Sequence, residues 1–80
     1  MSRQRLTQRY PDNAEWQRDL AFTYFSIGIL WMGLGELHRA AKDYEQSFTI
    51  AKKLVTLDPS NVLWQQDLVD FKRQLELVWR

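Results

Sequence analysis

Residues 11–20 read PDNAEWQRDL and residues 59–68 read PSNVLWQQDL. Proline, asparagine, tryptophan, glutamine, aspartate and leucine recur in place, so six of ten positions are identical. The stretches lie 48 residues apart, and the same offset pairs Leu6 with Leu54. Self-similarity at a fixed period marks a repeat architecture, in which a unit cannot bury its apolar face alone and stacks on its neighbours. On this period residues 1–10 correspond to the end of a preceding repeat and residues 11–58 to one complete repeat. Residues 59–80 are then the first helix of a following repeat or a capping helix. The expectation is a single domain over 1–80, an open-ended piece of an array whose ends require covering.

Within the unit, helix is the only periodicity. Leu20, Tyr24, Ile27, Trp31 and Leu34 recur at three- and four-residue steps, as do Leu37, Ala41, Tyr44, Phe48, Ala51 and Val55. Trp64, Leu68, Phe71, Leu75 and Val78 form a third stripe of the same kind. Asp12 and Glu15 have capping-box spacing just after Pro11, and Gly35 suits a left-handed helix end. Asp58-Pro59 stops the second helix, because a residue before proline is pushed out of the helical region. Ser60 and Asn61 are then caps for the third. The spacing predicts three helices near 12–34, 36–57 and 61–79 after a short N-terminal helical remnant, with the first two antiparallel across a short turn.

These residues resemble the tetratricopeptide repeat: Gly28 at a helix crossing, Trp31 a turn later, Gly35 at the turn, then Ala40, Tyr44 and Leu57-Asp58-Pro59. The common unit is 34 residues, so the 48-residue spacing is similar to the bacterial variety with longer helices. Asn13, Ala14, Trp16 to Leu20, Tyr24, Ile27, Leu37, Ser47, Ile50, Ala51 and Leu54 also fit that variety. The resemblance covers nearly the whole chain and implies an all-α solenoid fragment of antiparallel helix hairpins, with a scaffold role in protein–protein interaction. In such arrays the first helix of each pair lines the concave surface. On that mapping Phe22, Phe25, Ile29 and Met32 form a partner-binding stripe, while Tyr24, Ile27, Gly28 and Trp31 pack on the partner helix. Phe25, Ile29 and Leu34 are apolar where the variety is usually polar. Phe25 and Ile29 cannot donate hydrogen bonds, which argues against the family's clamp for a C-terminal carboxylate. The competing reading makes the Phe22/Phe25/Ile29/Met32 stripe ordinary core, covered by residues 1–10 or by the third helix.

Composition narrows the function classes. Eleven basic and ten acidic residues give a net charge of +1, whereas nucleic-acid affinity comes largely from clustered Lys and Arg. Arg3, Arg5 and Arg9 are the densest basic stretch and are read as solvating a helix end. Cysteine is absent and His38 is the one histidine, so no thiolate site is possible and no metal is expected. A nucleophile beside a base, a phosphate-cradling glycine loop and a paired carboxylate are all missing from the pattern, so no enzyme, cofactor or small-molecule substrate is expected. Glu45, Asp67, Asp70 and Glu76 are read as solvated, and Asp19, the counterpart of Asp67, as structural. Trp16 and Trp64 are read as hairpin packing, and Trp79 beside Arg80 as an interface anchor.

The expected partner is a protein, either a helix or peptide or a second copy in a homo-oligomer, because a chain of this size has a marginal core. No signal peptide is visible, and a cytoplasmic setting is expected. The alternative is a membrane-associated protein inserting residues 20–35, LAFTYFSIGILWMGLG. That run is shorter than the roughly 20 residues of a spanning helix. A third reading is an array piece stable only within a longer chain.

Overall fold

The structure, a computed structural model, describes residues 13–79. They form three helices, α1 (Asn13–Gly33), α2 (Leu37–Leu57) and α3 (Val62–Val78). The fold is all-α, two helix hairpins sharing α2, and the boundaries agree with the periodicity to within one residue at each described end. Asp12 and the expected N-terminal remnant lie outside the described residues.

The two turns are built by the residues singled out for them. Gly35 has φ +78°, a left-handed conformation that costs glycine nothing. Its N–H donates to the Met32 carbonyl at 3.1 Å, and the Glu36 N–H donates to the Trp31 carbonyl at 2.9 Å. This crossed pair is the Schellman arrangement, and it satisfies carbonyls that a helix end leaves orphaned. At the second turn Asp58 accepts from the Ser60 N–H and hydroxyl at 3.2 and 2.7 Å. The Asn61 side chain then caps α3, accepting from the Trp64 N–H at 3.1 Å.

Small residues bring the helices together. Ala14, Ala21 and Gly28 are the buried residues of α1, spaced seven apart. Ala40, Ala41, Ser47 and Ala51 are the small buried residues of α2, and Ala14 packs with Leu54 and Ala21 with Ala51. A Cβ built on Gly28 would lie 2.6 Å from Tyr44 Cε1, so the tyrosine ring occupies the space glycine leaves open. Ser47 has no accessible surface, and its hydroxyl donates to the Tyr44 carbonyl at 2.7 Å, so its burial leaves nothing unsatisfied. The hydroxyl of Tyr44 is harder to ionise than an ordinary tyrosine because burial desolvates it.

Against this hairpin α3 lays one face. Trp64 packs with Ala14 and Leu54, Phe71 with Ala21 and Ala51, and Val78 with Ala40, Ala41 and Tyr44. Leu68 and Leu75 fill the steps between them, so the whole predicted stripe of the third helix faces the core. In α2, Ala41, Tyr44 and Ala51 are buried as the pattern requires, whereas Leu37 at its first turn is exposed.

Candidate functional interface

The stripe expected to bind a partner divides. Phe25 is half-buried, its ring 4.7 Å from that of Phe71 and 5.4 Å from that of Tyr44. Phe22 and Phe71 meet in a T-shaped pair at 5.3 Å, and the Arg18 guanidinium lies 5.0 Å from the Phe22 ring centre. Met32 is half-buried beside the Tyr44–Val78 cluster. Ile29 stands clear, half of its surface exposed, and Phe22 also keeps more than a third of its surface in solvent. Three of the four thus line the seam where α1 and α2 receive α3. The companion stripe also divides: Gly28 packs on Tyr44 and Trp31 joins the same cluster, while more than a third of Ile27 is in solvent.

Among the described residues, another exposed apolar row lies elsewhere on α1. Trp16, Leu20, Thr23, Ile27 and Leu30 recur at steps of four and three, and Leu34 continues the row into the turn. At 3.6 residues per turn these six fall within about a quarter of the helix circumference. Trp16, Leu30 and Leu34 are 65, 67 and 72% exposed. Shifted by 48 residues, the first five become Trp64, Leu68, Phe71, Leu75 and Val78. Those are the residues α3 buries, with Trp64, Phe71 and Val78 at 6, 1 and 8%. So among the described residues α1 leaves exposed most of the face that α3 docks on a helix hairpin, with Leu20 half-buried. Trp16, expected to pack as Trp64 does, has no counterpart to the Leu54 cover among the described residues.

The outer side of α3 differs in kind. Offset by 48, Arg18, Phe22, Phe25 and Gly28 of the receiving surface become Gln66, Asp70, Arg73 and Glu76, all exposed. Val62, Val69 and Leu77 are exposed on that side too, but separated by these polar residues. A surface that receives an apolar stripe is therefore not rebuilt on α3. Trp79 is 60% exposed at its end, and Arg80 lies outside the described residues.

One polar contact locks the seam. Arg18 Nε donates to Asp67 Oδ2 at 2.6 Å and Nη2 to Oδ1 at 3.3 Å, across 49 residues of sequence. Asp67 is buried, not solvated as the sequence pattern was read, because the guanidinium supplies two donors where water would otherwise be needed. The hydrogen bond to Asp67 holds the Arg18 guanidinium still more firmly protonated than usual. Asp19, the counterpart of Asp67, is exposed.

The remaining surface offers shallow depressions on α2. One is bordered by Phe48, Thr49, Lys52, Lys53 and Thr56, the other by Trp31, His38, Arg39, Lys42 and Asp43. Arg39 lies over the Trp31 ring at 4.9 Å and Lys52 over that of Phe48 at 5.8 Å, so each cation is already engaged with its aromatic neighbour. Glu45, Asp70, Glu76 and His38 are exposed. Among the described residues no helix is long and apolar enough to cross a membrane, including the one that carries most of residues 20–35. Comparison of the chain with protein-family models, curated proteins and solved structures finds no significant match in any of the three.

Proposed function

We propose that the chain is a protein–protein interaction module of the tetratricopeptide type, working through the uncovered apolar side of α1. The observation that carries this reading is the contrast between repeat-equivalent residues. Trp16 and Leu30 are 65 and 67% exposed, while Trp64 and Val78 are 6 and 8% exposed. A row of large apolar side chains that no described residue covers is a recognised mark of an interaction site. Its helical spacing fits a helical partner with anchors at i, i+3, i+4 and i+7. Ile29 is exposed on another side of α1, well away from this row around the helix, and is not part of it. Phe22, Phe25 and Met32 act one step back, fixing the angle at which α1 is held.

An interaction face and a core face differ in what they contribute to the folded monomer. The double substitution Ile27→Lys/Leu30→Lys is expected to change unfolding free energy by no more than about 0.5 kcal/mol per site. The matched pair Leu75→Lys/Val78→Lys is expected to cost about 3 kcal/mol or more, because it forces charge into the α3 seam. Urea unfolding followed by circular dichroism in dilute solution compares them. Equal losses in the two variants would mean that the α1 row is internal, and would overturn the reading.

A further inference from the structure

We propose that the occupant of the α1 row is a second copy of this chain, docked antiparallel across a two-fold axis near residue 25. The inference rests on the interaction reading above and goes further by naming the partner. Three observations carry it.

The first is self-complementarity. A two-fold interface requires that when residue i meets residue j, residue j also meets residue i. Setting two copies of α1 antiparallel places Trp16 opposite Leu34, Leu20 opposite Leu30 and Thr23 opposite Ile27, each pair twice. Trp16 and Leu20 meet leucines in this register, and Ile27 meets the small Thr23. The small Thr23 lies at the centre, where the helices approach closest, and its hydroxyl already donates to the Asp19 carbonyl at 3.0 Å. The row carries no charge, so like charges do not face each other across it.

The second is the asymmetry of the ends. Head-to-tail stacking would seat the α1 row of one copy on the outer side of α3 in the next. That side sets Asp70, Arg73 and Glu76 among Val62, Val69 and Leu77, with a charge at each position where a receiving surface has Phe22, Phe25 and Gly28. Desolvating those charges against leucine and tryptophan is unfavourable, so a filament is disfavoured and a closed pair remains.

The third is size. The exposed fractions of Trp16, Ile27, Leu30 and Leu34 amount to about 500 Å² of apolar surface per copy, or about 1,000 Å² in the pair, where specific interfaces begin.

Light scattering on a sizing column, run on the full chain over a wide concentration range, tests the pairing. The wild type is expected to run as a dimer that dissociates on dilution. Leu20→Lys and Leu30→Glu are each expected to weaken dimerisation at least tenfold. The double variant Leu20→Lys/Leu30→Glu is expected to recover it, because the antiparallel register puts each lysine opposite the partner's glutamate. Circular dichroism of every variant confirms that it is folded. A folded wild type that stays monomeric throughout overturns the pairing. In that case the stability comparison above separates a row awaiting a foreign protein from one covered by its own chain. A dimer indifferent to all three variants, or a double variant no better than its parents, also overturns it.

Discussion

Replacing Phe71 by alanine is expected to destabilise the fold by about 3–5 kcal/mol, the usual cost of emptying a buried aromatic site. Phe71 is 1% exposed and packs on Ala21 and Ala51, one residue from each helix of the receiving hairpin. Its ring also lies 5.3 Å from that of Phe22 and 4.7 Å from that of Phe25. Deleting it removes the centre of the α3 stripe, and the alanines it packs on cannot extend into the gap. Domains are stable by only about 5–15 kcal/mol, and small ones lie toward the lower bound. The variant is therefore expected to lose the docking of α3 and to melt without a sharp transition. Circular dichroism of thermal unfolding measures it. A loss under about 1 kcal/mol would show that α3 is held by something other than this stripe.

Valine at Gly28 is expected to be nearly as damaging, through excess volume. The new Cβ would sit 2.6 Å from Tyr44 Cε1 and 2.7 Å from Cδ1, well inside contact distance. Tyr44 is 1% exposed, with Ala40, Ala41 and Val78 around it, so its ring cannot retreat without opening the first core cluster. Alanine separates the competing effects. It gains about 1 kcal/mol of helix propensity over glycine, against an overpacking cost of about 1–3 kcal/mol. The expected balance is a small net loss for Gly28→Ala and about 3 kcal/mol or more for Gly28→Val. At Gly33 nothing lies within 4 Å of an added Cβ, so alanine there should be neutral or slightly stabilising. Equal behaviour at the two glycines in urea unfolding would contradict this account of the α1–α2 crossing.

Much of this architecture is legible in the sequence because its signals are local. The left-handed Gly35, the Asn61 cap and the stop at Asp58-Pro59 each depend on a few neighbouring residues. The direction in which α2 and α3 face follows from stripes whose opposite side carries the charged residues, even with Val62, Val69 and Leu77 among them on α3. For α1 that signal fails. Apolar residues surround it, so its own sequence cannot say which side α3 will take. Tyr44 and Phe71 draw Phe25 inward, and Phe22 follows it onto Phe71. Trp16 and Leu30 remain outside, although their own periodicity is as good. The 48-residue offset held the missing information: it maps the exposed row of α1 onto the one α3 stripe that a core would claim. Arg18 and Asp67 were beyond reach for another reason. Nothing in either neighbourhood announces a partner 49 residues away, and an aspartate on a helix reads as solvated until the guanidinium is placed beside it.

Hydroxyl-radical footprinting read by mass spectrometry tests the central claim most directly, by comparing repeat-equivalent side chains within one molecule. In dilute solution Trp16, Leu30 and Leu34 should be modified readily, while Trp64, Phe71 and Val78 are protected. Raising the protein concentration should protect the α1 row and leave the α3 row unchanged. If Trp16 and Trp64 are equally protected at every dilution, the α1 row is core and not an interface.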